Sequence, residues 1–414
     1  MNYDKKAAIG NKGKLPVKIA FIASRFPSYD EAFLLRELHA LSNRLEMMIF
    51  SLRHADRKQV IHDQAQELLA HTIYIPYIFS IELFLANLIM LLSRPTAYIK
   101  ALFSLIAQNV RSPQFLAKSL VFFPKAVVFA RWAEKNKVTH VHALWATYPA
   151  SVAQAVKALS GIRFSFMGHA HDIYLDTTGL EQKIMQAEFI STCTSQNKDH
   201  LLTVAPQADP EKVRVIHHGL DLDLFRSVPE KGNHVYQILS VGTLHYYKGF
   251  NYFLDALALL KKRGIALHGT IIGGGPLEQD LARQIRDLGM EKEVTMTGPL
   301  KQSQVIPYYR QSDVSVLMAQ SEWHWGIPNV LIESLAARTA VVTTRFGSVE
   351  ELVHDGKTGF IVEAKNAVAL ADILERYYRD PDLRRRHAEA GCRLVMDEFD
   401  LARNIEEYCQ RFQA

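Results

Sequence analysis

Short apolar runs rich in β-branched and aromatic residues alternate with amphipathic stretches along most of this chain. VKIAFIAS is followed by the loop RFPSYDEAF, the helix-like LLRELHALSNR and the strand-like MMIFSL. A β-loop-α-β order predicts a parallel sheet covered by helices, because parallel strands need a crossover. From about 79 to 133 the period changes to that of long apolar helices: FSIELFLANLIMLL, AYIKALFSLIAQNV and FLAKSLVFFPKAVVFARWA. THVHALW and FSFMGHA then restore the α/β alternation, followed by FISTCTS and VRVIHHG.

The polar stretch 227–236, SVPEKGNHVY, holds Pro229 and Gly232 and reads as an interdomain linker. Beyond it the alternation is more regular. QILSVG leads to a helix over about 249–262, then HGTIIG and a helix over 277–287. VTMTG, VSVLMA, AVVTT and GFIV supply further strands. The pattern predicts two doubly wound, Rossmann-like α/β domains facing a central cleft. The expected limits are 1–226 with a helical insert at 79–133, the linker 227–236, and 237–398. The amphipathic FDLARNIEEYCQRFQ, from about 399 to 414, is expected to cross back to the first domain.

Length agrees with this division, since 414 residues exceed one ordinary core. With 48% hydrophobic and 22% charged residues the composition is globular. A net charge of +5 is only mildly basic, and no helix-turn-helix, zinc-finger or RNP pattern points to nucleic acid. Cys193, Cys392 and Cys409 are odd in number and lack metal spacing, which suits buried thiols in a reducing compartment. The apolar part of the N-terminal stretch, IAFIA, is too short for a signal-peptide core, and no apolar run reaches 18 residues. The expectation is a cytoplasmic protein, soluble or peripherally attached.

Ligands of open α/β sheets lie beyond the carboxyl ends of the strands, so the loops after strands hold the candidate chemistry. In VGTLHYYKG, Gly242 and Thr243 follow a strand, and Lys248 stands where a helix starts. A cation beside free N–H groups makes an anion site, although a solvated lysine explains the same residues. IIGGGPLEQDL places Gly274, Gly275 and Pro276 between strand and helix, suited either to nucleotide contact or to a tight turn. It is not the G-x-G-x-x-G of dinucleotide binding. In GIPNVLIESLA, Pro328 suits the first helical turn, and the N–H groups of Asn329, Val330 and Leu331 would face a phosphate. Glu333, a turn further in, either accepts from ribose hydroxyls or stabilises the helix dipole. In FSFMGHAHDIY, His169 and His171 have H-x-H spacing with Asp172 beside them. No third ligand lies nearby in sequence, which favours a hydrogen-bonding histidine over a metal ligand.

Taken in order, these segments resemble the retaining GT-B glycosyltransferases of the family 4 type, over nearly the whole chain. RFPSYDEAFLLREL, GHAHDI, VRVIHHGLDLDLF, VGTLHYYKG, GGGP, GIPNVLIESLA and GSVEELVHDGKTGFIV carry the likeness. The resemblance implies a nucleotide-sugar donor, a UDP- or GDP-sugar, bound mainly on the second domain. It implies that Lys248 holds the diphosphate and Glu333 the ribose, with Gly298, Gly326 and the Asn329–Leu331 helix end also on the donor. It implies that His169 contacts the sugar and positions the reacting centre, with Glu31, His171 and Asp172 on the acceptor or cleft side. No metal and no cofactor are implied, and the anomeric configuration is kept.

Two positions depart from that pattern. Thr243 stands where the family commonly has an arginine, and Thr cannot replace its bidentate grip on phosphate. Trp325 stands where a sugar-binding carboxylate is common, with Glu322 three residues earlier. An active enzyme is the main reading; a non-catalytic sugar-nucleotide or partner binder, or a hydrolase or epimerase on the same fold, is the rival. On the acceptor side, residues 83–133 hold Arg94, Lys100, Arg111, Lys118, Lys125 and Arg131 but no Asp or Glu. Such a basic, apolar layer suits an anionic membrane surface and a glycolipid or surface-polysaccharide acceptor, or else simply packs on the sheet.

Overall fold

The computed structural model describes residues 15–27, 32–54, 63–74, 80–175, 177–225, 235–320 and 326–414. The chain divides into two compact units, residues 1–219 with 402–414, and residues 220–401. The division falls at Gly219/Leu220, ahead of the expected linker, most of which lies outside the described residues.

The first unit is built on a seven-stranded parallel sheet. Its strands are β1 (Leu15–Ala23), β2 (Leu45–Ser51), β3 (Thr72–Tyr74), β4 (His140–Ala143), β5 (Arg163–Gly168), β6 (Ile190–Thr192) and β7 (Val213–Val215). They lie in the order β3-β2-β1-β4-β5-β6-β7. β1 is central and covered on both faces, so Ile19, Ala20, Phe21, Ile22 and Ala23 are all buried and the strand reads as a continuous apolar run. The winding reverses between β1 and β4, where Ile19–Ile22 pair with His140–Ala143. β3 is not anticipated from sequence. It has three residues at a sheet edge.

The insert folds into helices Ile81–Ser93, Pro95–Asn109 and Pro113–Lys135. The Ser80 side chain caps the first by accepting from Leu83 N–H at 3.1 Å, and Pro95 and Pro113 open the other two. Phe122, Phe123, Ala126, Val127, Phe129 and Ala130 are buried in the core of this unit, with Phe129 stacked on Phe50 of β2 at 3.8 Å. The outer face is apolar as well: Ile81, Phe84, Leu92 and Phe103 are 68–77% exposed. Among the described residues no single helix is long and apolar enough to cross a membrane. The pair Ile81–Ser93 and Pro95–Asn109 reaches that length and composition only together, bent by 114°.

The basic character expected of this layer is reduced in the fold. Lys125 is buried and donates to the Leu52 carbonyl at 2.7 Å, its pKa lowered by burial and by Arg53. Arg94 pairs with Glu134 at 2.5 Å and donates to the Leu159 carbonyl at 3.1 Å. The long stem of Lys125 carries its charge inward, which a count of residues does not reveal. Arg94, Lys100 and Arg111 remain exposed.

Helix Leu401–Gln413 closes the first unit. Phe412 meets the rings of Phe21 and His142 edge-on at 6.0 and 5.3 Å, and the Asn404 amide donates to the His217 carbonyl at 2.6 Å.

The second unit carries six parallel strands: β8 (Tyr236–Val241), β9 (Leu267–Ile272), β10 (Val294–Met296), β11 (Val314–Leu317), β12 (Ala340–Thr344) and β13 (Phe360–Val362). Their order is β10-β9-β8-β11-β12-β13, so the winding reverses between β8 and β11. Helix Phe250–Lys262 buries Phe250, Phe253, Leu254 and Leu257, a stripe at helical spacing. Both units are therefore doubly wound Rossmann-like sheets, each with one reversal point.

Candidate functional site

In the second unit the loops leaving β8 and β11 meet at the reversal. Gln320 N–H donates to the Tyr247 carbonyl at 2.9 Å, and its amide to the Tyr246 carbonyl at 3.1 Å. Gly249 has φ 70°, and a Cβ there would lie 2.2 Å from the Met318 carbonyl oxygen. Only glycine lets the chain turn into helix Phe250–Lys262 this close to its neighbour. Lys248 ends the one-turn 3-10 helix Tyr246–Lys248 just before that glycine. It is partly buried, and among the described residues no carboxylate pairs with it. Burial alone brings its pKa down to about 8. A desolvated cation with no counter-charge, at the carboxyl edge of a doubly wound sheet, is prepared for an anion.

Two of the glycines after β9 have a structural reason. Leu244 N–H donates to the Gly274 carbonyl at 3.0 Å and Leu277 N–H to the Leu244 carbonyl at 3.1 Å, tying this loop to the one after β8. A Cβ on Gly273 would lie 1.8 Å from the Gly242 carbonyl oxygen, and one on Gly275 2.8 Å from Leu244. Gly298 accepts from Gly273 N–H at 3.1 Å. Crowding between backbones accounts for Gly273 and Gly275 without a ligand, but not for Gly274. Thr243 and Pro276 are exposed on this edge.

Glu333 stands on helix Asn329–Ala336. Pro328 is the residue before the helix, with φ −69° and ψ 128°, rather than its first helical position. Leu331 N–H is spent on the Pro328 carbonyl at 3.0 Å, so the open helix end belongs to Asn329 and Val330 and not to Leu331. Glu333 is 8% exposed and accepts from the Gln302 amide at 2.7 Å and the Tyr309 hydroxyl at 2.9 Å. Both partners lie on helix Gln302–Gln311 and are missed by sequence reasoning. Their one signal is position, on the helix that leads into β11. Gly326 is described, whereas Glu322 and Trp325 lie outside the described residues.

In the first unit the expected trio separates. Asp172 is buried, and its carboxylate accepts from the N–H groups of Ala146, His169 and Ala170 at 3.0, 3.0 and 2.8 Å. It ties the loops after β4 and β5 together. His171 is exposed against Trp145, with ring centroids 5.1 Å apart. His169 turns inward, 5% exposed, with Nε2 at 3.1 Å from the Leu144 carbonyl. Glu31 lies outside the described residues.

The partners His169 does find come from other strands. Its ring lies 5.1 Å from that of His218, and the Cys193 thiol lies within hydrogen-bonding reach of both rings. His218 Nδ1 is 2.8 Å from Glu37 Oε1. Burial opposes a charge on His218, but Glu37 and Cys193 outweigh it and lift its pKa to about 10. Burial likewise pushes the Cys193 thiol up, and the two imidazoles outweigh this and bring it down to about 7. Cys193 follows β6, His218 follows β7, and Glu37 lies on the helix after β1. All occupy the carboxyl edge of the sheet, the one feature by which sequence could have grouped them.

Residues 223–393 match the family model "Glycosyl transferases group 1". Over 165 residues the chain is 32% identical to alpha-D-kanosaminyltransferase of Streptomyces kanamyceticus, covering 40% of this chain and 42% of that protein. Over 175 residues it is 33% identical to the putative colanic acid biosynthesis glycosyltransferase WcaL of Salmonella typhimurium, covering 41% and 43%. The chain thus matches less than half the length of these relatives. The crystal structure of Anabaena HepE in complex with UDP superposes with a TM-score of 0.68 at 15% identity, over 96% of this chain and 99% of that one. Residues 223–393 are therefore similar to the group 1 glycosyl transferases, and the chain has the GT-B fold of two Rossmann-like units.

Proposed function

We propose that the protein is a retaining glycosyltransferase that moves a sugar from a nucleoside-diphosphate sugar to an acceptor hydroxyl without a metal. The observation that carries this is Lys248, a partly buried cation without a carboxylate partner among the described residues, at the reversal point of the second sheet. Lys248 and the Asn329 and Val330 N–H groups neutralise the leaving diphosphate, the task a metal ion performs elsewhere. Glu333, fixed by Gln302 and Tyr309, accepts from ribose hydroxyls. The bond from the anomeric carbon to phosphate breaks as the acceptor oxygen bonds on the same face. The acceptor's proton goes to the departing phosphate oxygen. His169 contacts the transferred sugar and positions the reacting centre.

HepE, solved with UDP-glucose, supports a UDP-sugar as donor. The colanic acid and amylovoran glycosyltransferases among the relatives support a surface-polysaccharide or glycolipid acceptor. The exposed apolar face of the helical insert, with Lys100 and Arg111 exposed on the same layer, supports attachment to an anionic membrane surface. Release of nucleotide from a panel of UDP- and GDP-sugars tests the proposal. Turnover with one donor, reduced at least about 100-fold by Lys248→Ala, is expected, since a charged contact on the leaving group is worth roughly 3 kcal/mol. Binding without turnover toward any acceptor would instead leave a sugar-nucleotide binder.

A further inference from the structure

The cluster around His169 offers more than a sugar contact. His169, Cys193 and His218 each present one donor atom, and the three atoms all lie within 4.8 Å of one another. In a tetrahedral zinc site with Zn–S of about 2.3 Å and Zn–N of about 2.0–2.1 Å, such atoms stand roughly 3.3–3.7 Å apart. A contraction of about an ångström, within reach of side-chain rotation, closes the set. The H-x-H pair of the sequence is not this site, because His171 is exposed and turned to Trp145.

The hydrogen bonds fix which nitrogens are available. His169 Nε2 faces the Leu144 carbonyl, which only accepts, so the proton sits on Nε2 and the lone pair on Nδ1. That Nδ1 is buried and makes no hydrogen bond of good geometry. His218 Nδ1 faces the Glu37 carboxylate in the same way, which leaves Nε2 toward the cluster. Metal-bound histidines almost always donate their other ring N–H to a carbonyl or a carboxylate, and here both do. Glu37, 4% exposed with its second oxygen buried and unbonded, is otherwise a costly residue to keep at this position.

We propose that His169, Cys193 and His218 form a binding site for a zinc-class divalent cation, with Glu37 and the Leu144 carbonyl as its outer shell. No fourth side chain joins the group among the described residues, so the last position is open to water or an exogenous ligand. The thiolate and two neutral imidazoles favour zinc or cobalt over magnesium or calcium. Binding displaces the protons of Cys193 and of His218 Nε2. Resting on the reading of His169 as a sugar contact, the bound ion also withdraws that residue and makes zinc a reversible inhibitor of transfer.

The test uses reduced full-length protein titrated with Co2+ and, in competition with a chelator, with Zn2+. One equivalent of Co2+ giving a thiolate-to-cobalt charge-transfer band is expected. The band should be lost in Cys193→Ser and kept in Cys392→Ser and Cys409→Ser, the other two free cysteines. Glu37→Gln should weaken zinc binding roughly 10–100-fold. In the unaltered protein, one equivalent of Zn2+ should shield Cys193 from alkylation, which needs no variant to fold. Absence of the band, or its persistence in Cys193→Ser, overturns the site, as does unchanged alkylation. Binding with the band but without inhibition leaves the site standing and overturns the role of His169 in transfer.

Discussion

Tyr309 donates its hydroxyl proton to Glu333 across 2.9 Å, from a helix that precedes β11 to the helix that follows it. Both residues are buried, and burial followed by the Glu333 charge pushes the Tyr309 pKa well above that of an ordinary phenol. The phenol therefore remains a donor throughout the working pH range and holds the carboxylate in one orientation. Tyr309→Phe removes the donor and leaves a buried oxygen undersatisfied, at a cost of about 1–3 kcal/mol. Urea unfolding should register that loss, and the nucleotide Kd should rise because Glu333 is no longer held. Unchanged stability together with unchanged affinity would contradict the assignment.

Lys248 is kept at the expense of stability. Its folded pKa, about 8, lies below the ordinary lysine value of 10.5. A base depressed in this way contributes stability that is fully present above 10.5 and is lost as pH falls through 8. At pH 7 the free protein thus carries a penalty on the order of 2–3 kcal/mol, which an anion relieves. Lys248→Met is expected to be more stable than the parent at pH 7, the difference fading between pH 8 and 10.5, and to lose nucleotide binding. In the parent, nucleotide affinity should decline as pH rises through 8. Urea midpoints at pH 7 and above pH 10, with nucleotide titrations beside them, check both halves.

The crowded glycines predict opposite outcomes at adjacent positions. A Cβ on Gly273 meets the Gly242 carbonyl oxygen at 1.8 Å, whereas one on Gly274 meets only the Pro299 side chain at 3.4 Å. Gly273→Ala should separate the loops after β8 and β9 and cost upwards of about 3 kcal/mol, in the range reserved for severe steric or strain effects. Gly274→Ala should stay within about 1 kcal/mol. Denaturation midpoints of the two variants distinguish backbone packing from a general intolerance of the loop.

The exposed face of the helical insert predicts membrane attachment that depends more on apolar burial than on charge. Phe84→Ser with Leu92→Ser should reduce flotation with anionic vesicles more than Lys100→Gln with Arg111→Gln does. The reason is that Phe84 and Leu92 are 68% and 73% exposed while Lys125 is buried and Arg94 is paired with Glu134. No enrichment on vesicles at low salt would contradict the attachment itself.

The architecture was legible wherever one period ran long enough. β1 and β8 read as strands because both faces of each are covered, and helix Phe250–Lys262 read as a helix because its buried stripe recurs at helical spacing. β3 was not legible because its three residues run on into the apolar IPYIFSIELF with no polar turn to bound them. At the site, Lys248 and Glu333 could be named from their loops, but their surroundings could not. Gln302 and Tyr309 reach Glu333 from 31 and 24 residues away. His169, Cys193 and His218 meet only because β5, β6 and β7 are neighbours in the sheet. The same limit made the insert look more basic than it is, since sequence does not show that Lys125 turns inward.

Thermal denaturation against a panel of nucleotide sugars tests the central claim most directly. Ligand binding to the folded state stabilises by RT ln(1 + [L]/Kd), about 2.7 kcal/mol at one hundred times Kd. One nucleotide sugar should raise the melting temperature of the parent protein by several degrees and leave that of Lys248→Ala unmoved. No shift with any UDP- or GDP-sugar, or an equal shift in Lys248→Ala, would contradict a donor site built around Lys248.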